Sequence, residues 1–334
     1  FKKLYKIDII NKFFRFIILV VFINFIYWFY YEAIIGVENT IYFTSLFYIF
    51  NFLFFMMYFS FLNSENGIDF KSVNIISITI IITISIQFVL AILGIGNDVA
   101  VRASIFFNNP NQLGYFSLLM LTLFTILPSY YRKNIFITIW MIFSCGYLVL
   151  YSGSRAALGG ILLLAGLIFY LEGFKLKLKS LIMFLIILFI TPTIFNSSFV
   201  NKQIESITTR NDKEEYLNAS QTQIRGYDRF FIHPEYILYG SGEGLNQRFN
   251  SFHQLEMHSG FGNILFSYGI LGFVLFLDFF RLIIKKRELF YGLILAPILV
   301  YNLTHQGFRD SLFWAVLASV FLIKSAEGNF VNEK

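Results

Sequence analysis

Charge is scarce in this chain. Of its 334 residues 14% are charged, against about 25% in an ordinary soluble domain, and 57% are hydrophobic. Mean hydropathy is +0.67. Those values exclude a pair of soluble domains, which length alone would permit. Cysteine is nearly absent. The single Cys145 lies inside a hydrophobic run, which excludes an intrachain disulfide and argues against a cysteine metal site. Only four histidines occur, and none has the tight spacing of metal ligands. Long polar runs are also missing, with one exception. From Asn196 to Met257 the chain is polar, and it then enters MHSGFGNILFSYGILGF, Met257 to Phe273. His258 stands at that junction. Its ordinary pKa, roughly 6.5, suits a proton acceptor near neutrality.

What is present in quantity is apolar helix. A span of about 20 apolar residues crosses a bilayer core. Ten such spans are predicted: Phe13–Tyr31, Ile41–Leu62, Val73–Leu93, Gln112–Tyr130, Ile135–Tyr151, Ala156–Leu171, Leu178–Phe195, Ser259–Phe280, Leu289–Leu303 and Asp310–Ile323. Pro192 and Pro297 fall within spans, where a helical bundle tolerates a kink. The expected fold class is therefore all-α. It is one polytopic transmembrane helical bundle over residues 1–334, with one long loop at 196–257. No signal peptide is read, because the first hydrophobic run continues to about Tyr31 without a small-residue cleavage site. The chain opens on Phe1 rather than Met, as a fragment lacking earlier helices would.

The basic residues set an orientation. Seventeen of the 26, from Lys2 and Lys3 through Lys175, Lys177 and Lys179 to Lys334, fall on one side of the predicted spans. The positive-inside rule makes that side cytoplasmic and puts the long loop outside. The net charge of +6 then speaks to topology, not to nucleic acid. The nine outer residues differ in kind. Seven are arginine, whereas thirteen of the seventeen inner ones are lysine. Lysine suits a solvated topology signal, and arginine a planar fork that grips carboxylate or phosphate. The outer arginines either pair with the loop's own acids or hold an anionic partner.

Four stretches can carry chemistry. In YSGSRAALGG, Tyr151 to Gly160, Arg155 sits between two spans with almost no loop. An arginine costs roughly 2.5–3.5 kcal/mol at the centre of a membrane helix and less near the interface. Ser152 or Ser154 can cap the helix that follows, which places Arg155 at a helix N-terminus that attracts anions. The plainer alternative is an arginine that snorkels to the surface. In TQIRGYDRFFIHP, Thr222 to Pro234, Arg225 and Arg229 are four apart and share a face if the segment is helical. An ordinary surface helix with an Asp228 ion pair is the alternative there. In HSGFGNILFSYGILGF, His258, Gly262, Phe266, Gly269 and Phe273 recur at helical spacing. The glycines would admit a neighbouring helix or a lipid chain, and His258 is either a base or an interfacial hydrogen-bonding residue. In FFNNPNQLG, Phe106 to Gly114, Asn111 either caps a helix or binds sugar hydroxyls.

An anion at a membrane surface suggests a lipid diphosphate. A sugar linked through diphosphate carries a good leaving group, so cleavage needs positive charge to hold the departing anion. The incoming hydroxyl needs a base. Arg155 and Arg225 can supply the first and His258 the second. Charge-assisted hydrogen bonds contribute about 1.5–3 kcal/mol each, and a positioned base about 10²–10⁴ in rate. No paired-carboxylate metal motif occurs on the outer side, so the expected mechanism uses no metal.

FFNNPNQLG, SGSRAALGG, IRGYDR, YGSGEGLNQRF and HSGFGNILFSYGILGF occur here in the order seen in the bacterial O-antigen polymerase and O-antigen ligase family. The chain resembles that family, which includes Wzy-type polysaccharide polymerases, from about Phe106 to Phe280. The resemblance implies an inverting glycosyltransferase, without metal or cofactor, in the bacterial inner membrane. Its implied partners are the lipid bilayer and undecaprenyl-diphosphate-linked glycans, together with a flippase and a chain-length regulator of the same pathway. It implies that His258 activates the acceptor and that Arg155 and Arg225 contact the diphosphate; Arg229 and Asn111 are further substrate-binding candidates from the residues themselves. Ser259 departs from the asparagine found in many members, and ten spans fall short of the twelve or so that are common. A ligase to lipid A-core or protein shares the fold. A lipid-linked glycan transporter would instead need charged residues deep in its spans, and a catalytically silent scaffold would need none of these groups.

Overall fold

The computed structural model describes residues 2–64, 67–95, 104–171, 219–284 and 289–330. The predicted span Leu178–Phe195 and the first part of the polar loop lie outside those residues. The described ones form α1 (Lys2–Phe29, continued by a π turn Tyr30–Ile34), α2 (Ile41–Leu62), α3 (Phe70–Ile92), α4 (Pro110–Ile126), α5 (Ile135–Ser152) and α6 (Arg155–Leu171). One-turn helices follow at α7 (Gln221–Ile224), α8 (Arg229–Ile232) and α9 (Tyr236–Tyr239). The long helices resume with α10 (Gly260–Ile284), α11 (Leu289–Thr304) and α12 (Ser311–Phe330). A two-residue antiparallel pair, Asn63–Ser64 with Gly67–Ile68, is a minimal hairpin between α2 and α3. Five helical stretches are long and apolar enough to cross a membrane: Ile7–Ile34, Ile41–Leu62, Phe70–Ile92, Ile135–Ser152 and Gly260–Ile284. The protein is a helical, multi-pass membrane protein.

The helices begin where side chains can satisfy their first N–H groups. Asp69 accepts from the backbone N–H of Lys71 and of Ser72 at α3. Asn134 accepts from Phe136 at α5. At α4 the cap is Asn109, which accepts from Gln112 at 3.0 Å, with Pro110 in the first turn. Capping at this turn was one reading of Asn111; the structure gives that role to Asn109, because Pro110 restricts the residue before it to extended backbone and so fixes the boundary there.

The residues cluster into two compact units. The first comprises Phe1–Ser60, Glu214–Arg287 and Asn302–Phe321. On α1, Phe13, Phe16, Ile17, Val20 and Asn24 are buried, whereas Phe14, Ile18, Phe22 and Phe25 are exposed. Both faces are apolar, so packing rather than polarity separates them. In lipid the hydrophobic effect does not drive helices together; close van der Waals packing does. The aromatic content supplies it. Phe13 stacks on Trp314 at 4.4 Å and lies 4.9 Å from Phe279. Lys12 pairs with Asp278.

α10 is bent at Gly269, whose φ of 66° and ψ of −174° no helix contains. A β-carbon there would sit 2.5 Å from the Leu238 carbonyl oxygen, and one at Gly240 would sit 2.5 Å from that of Ser267. The two glycines let the chain after α9 press against the backbone of α10. The break frees helix carbonyls. Ser241 N–H donates to Phe266 O at 3.1 Å and Gly242 N–H to Ser267 O at 2.9 Å. The expected continuous face from His258 to Phe273 is therefore interrupted: His258 precedes the first helical residue, and the helix changes course at Gly269.

The second unit comprises Phe61–Lys213, Glu288–Tyr301 and Leu322–Lys334. Its centre is α4, buried continuously but for Phe116 from Leu113 to Ile126. Tyr115 stacks on Tyr301 at 4.1 Å. Gly153 ends α5 in the left-handed conformation (φ 59°), as helix C-termini commonly require, and the chain turns at once into α6.

Candidate functional site

From residue 219 onward, the polar segment that precedes α10 is folded around arginines. Arg229 is 1% exposed. Its Nε donates to Ser251 Oγ at 3.0 Å, Nη1 to Asn246 Oδ1 at 3.0 Å, and Nη2 to the carbonyls of His253, at 2.7 Å, and Leu255. The Phe249 ring lies 5.2 Å from the guanidinium. Burial lowers the Arg229 pKa to about 10, so it stays charged at neutrality. This side chain ties residues 246–255 into one structure, and its donors are spent on the loop itself.

Arg225 does not share a helical face with Arg229. Gly226, at φ 75°, breaks the segment into separate turns. Arg225 is half-buried. Its Nη1 donates to Thr304 O at 3.0 Å, and its own carbonyl accepts the backbone N–H of His258 at 3.0 Å. The main chain thereby fixes the proposed base to the residue proposed to hold its anion.

His258 is exposed and lines a cavity of about 590 Å³. Among the described residues its ring nitrogens make no hydrogen bond. The His253 ring lies 4.7 Å away and that of His305 6.4 Å away. The His258 pKa is pushed down to about 4. Desolvation is the largest cause, followed by the charge His253 carries when protonated, and then by Arg225 and Arg229. Burial lowers His253 as well, with Arg229 adding to it. Both imidazoles are neutral at pH 7.

The cavity rests on a buried carboxylate. Glu243 is 2% exposed. It accepts from Arg309 Nη2 at 2.6 Å, Tyr268 OH at 2.6 Å, Gln306 Nε2 at 3.1 Å, and Asn263 Nδ2. Its backbone N–H donates to Asn24 Oδ1 at 2.8 Å. Burial opposes ionisation of Glu243, but Arg309 and these donors outweigh it, so its pKa lies below the usual carboxylate value. The other arm of Arg309 reaches Glu256 at 2.6 Å. Glu243 thus holds two residues that meet the cavity, Gln306 directly and Glu256 through Arg309. Leu245, also on the wall, has φ 45°, a region that costs an L-residue roughly 1–2 kcal/mol.

Two predicted site residues belong to the second unit. Arg155 is the exposed first residue of α6. Just before it, Ser154 is 1% exposed and its Oγ has no partner among the described residues. Ser152 Oγ accepts from Ser154 N–H at 3.2 Å, and Ser154 Oγ caps nothing among the described residues. Asn111 lies in the first turn of α4, and its carbonyl accepts from Tyr301 OH at 3.2 Å.

Sequence reasoning passed over Glu243, Gln306 and Asn24. The signal available was the acid within the glycine-rich YGSGEGLNQRF and the lone Asn24 inside an apolar span. Buried polar residues in a membrane helix demand partners, and Asn24 Nδ2 finds Thr44 Oγ1 at 2.9 Å and Ser45 Oγ at 3.0 Å. Among the described residues no group of three or more histidine, cysteine, aspartate or glutamate side chains is arranged to hold a metal ion. No protein-family model, curated protein or solved structure matches this chain.

Proposed function

We propose that this protein is a membrane glycosyltransferase that polymerises lipid-diphosphate-linked oligosaccharide repeat units of a surface polysaccharide. The observation that carries the reading is His258: a neutral imidazole on a cavity wall, without a hydrogen bond among the described residues, joined through its backbone to Arg225. In the proposed step a hydroxyl of one lipid-linked glycan gives its proton to His258. Its oxygen bonds to the anomeric carbon of the growing chain. The bond from that carbon to the diphosphate oxygen breaks, and the lipid diphosphate leaves with the electron pair. Attack opposite the leaving group inverts the configuration.

A histidine with a pKa near 4 is a weak base. Part of that depression comes from Arg225. An anion on Arg225 offsets its charge and raises the basicity of His258, so donor binding and base strength are coupled. Arg229 acts by holding the loop, and Arg155 and Asn111 enter this reading from the sequence, Arg155 as a cation at a helix start and Asn111 as a sugar-binding amide. The proposed setting is the bacterial inner membrane with ten spans, the loop on the outer side, and a flippase and chain-length regulator of the same pathway as partners. Asp278, one of the two acids a transporter could use for coupling, is paired with Lys12.

The test is to offer the purified protein lipid-linked repeat units with no other acceptor. A ladder of polymers supports the polymerase. Transfer only after lipid A-core or a protein is added makes it a ligase, and no transfer to any acceptor overturns the reading.

A further inference from the structure

The cavity beside His258 differs in chemistry from a diphosphate site. Asn246, Gln247, Gln254 and Gln306 put four amides on its wall, and Glu256 adds a carboxylate. Among the described residues neither arginine nor lysine lines it. Arg229 is consumed by the loop, and the Arg225 guanidinium points its Nη1 at Thr304 O. Leu245, Leu255 and Met257 complete the wall. Amides with apolar patches fit a sugar ring, which has hydroxyls on its rim and C–H groups on its face. A volume of about 590 Å³ lies within the usual 300–1,000 Å³ of small-molecule sites.

The charge balance sharpens this. Glu243 and Glu256 share one guanidinium, Arg309, at 2.6 Å each. Glu256 is the outer of the two and faces the cavity; Arg229, which also acts on Glu256, has its donors spent on the loop. Gln306 is oriented by the same cluster, because its Nε2 donates to Glu243. Its Oε1 is buried without a partner among the described residues.

We propose that this cavity is the acceptor subsite, that it takes an uncharged terminal sugar, and that Glu256 is a specificity-determining residue that rejects acidic sugars. The inference rests on the proposed transferase reading and adds the chemical class of its acceptor. A carboxylate-bearing sugar would meet a like charge at Glu256, with no cation among the described wall residues. A neutral hexose or N-acetylhexosamine meets amides that can donate and accept.

The test uses the full chain in nanodiscs and saturation-transfer NMR. The probes are methyl glucoside, methyl N-acetylglucosaminide and methyl glucuronide. The neutral glycosides should bind and the glucuronide should bind at least tenfold more weakly. Gln254→Ala, at an exposed wall position, should weaken neutral binding about fivefold without disturbing the fold. Glu256→Gln should narrow the neutral-to-acidic ratio to within about threefold. Glucuronide binding equal to or tighter than that of the neutral sugars in the unmodified protein overturns the proposal. So does an unchanged response in both variants, or no binding of any glycoside. Chain growth that persists in His258→Ala while these ratios hold would sink the transferase reading and leave the neutral-sugar site standing. Loss of growth in His258→Ala with no neutral-over-acidic preference would do the reverse.

Discussion

Replacing Glu243 with leucine tests whether the buried carboxylate organises the site. The change removes the acceptor that serves Arg309, Tyr268, Gln306 and Asn263. Breaking a buried ion pair by deleting one partner costs about 3–5 kcal/mol, because the other charge stays buried. Glu256 still neutralises one arm of Arg309, which argues for the lower end. The three orphaned neutral donors, each worth about 1–3 kcal/mol when left unsatisfied, push the other way. We expect a loss of about 3–5 kcal/mol, a large part of the roughly 5–15 kcal/mol that holds an ordinary protein folded. At about 2–4 °C per kcal/mol, melting falls by about 6–20 °C. Glu243→Gln keeps one oxygen for Arg309, Gln306 and Asn263 and loses the charge, so its cost is nearer 1.5–3 kcal/mol. Adding Arg309→Met to Glu243→Leu removes the stranded cation and recovers part of the loss. The assay is thermal unfolding in nanodiscs followed by tryptophan emission, since Trp314 is fully buried in the same unit. A Glu243→Leu protein that melts within about 2 °C of the unmodified one would refute the reasoning.

Four further outcomes follow from the same geometry. Arg225→Lys keeps the charge but loses the planar fork; lipid diphosphate affinity should fall about tenfold, by direct titration. The acid limb of kcat/KM reports the free protein and should lie near pH 4, whereas that of kcat, set with an anion on Arg225, should lie higher. His253 and His258 both bind protons less readily folded than unfolded. Stability should therefore be full above about pH 6.5 and decline as pH falls toward 4, with a smaller decline in His258→Gln; melting temperature against pH reads this. Gly269→Ala places a β-carbon 2.5 Å from Leu238 O in a left-handed backbone, so it should cost at least about 2 kcal/mol, visible as lower yield and melting temperature.

Apolar run length made the helices legible. The predicted spans Ile41–Leu62 and Ile135–Tyr151 match α2 and α5 within a residue, because Asn134 and Gly153 mark real ends. Polar spacing was less informative. The interval between Arg225 and Arg229 suggested one helical face, but Gly226 sits in a conformation that ends a helix, so the two arginines took different tasks. At α4 both asparagines can cap, and only the backbone restriction imposed by Pro110 separates Asn109 from Asn111. The Glu243 cluster was hidden for another reason. Its partners, Asn24, Asn263, Tyr268, Gln306 and Arg309, are scattered over nearly the whole chain, and no local period relates them. Folding of α1, α10 and the turn after α11 within one unit brings them together. His258 stood out as an imidazole at the edge of a hydrophobic run, a position that an interfacial hydrogen-bonding histidine fills as readily as a base. Its depressed pKa was not visible, since it depends on His253, Arg225 and Arg229 converging through loop structure.

The most direct test of the account is chain growth in His258→Ala, purified alongside the unmodified protein and supplied with lipid-linked repeat units. Bound lipid diphosphate is measured in the same samples. Polymer should disappear, a rate loss of about 10²–10⁴ for a positioned base, while lipid diphosphate still binds. Polymer growing at the unmodified rate in that variant would contradict this.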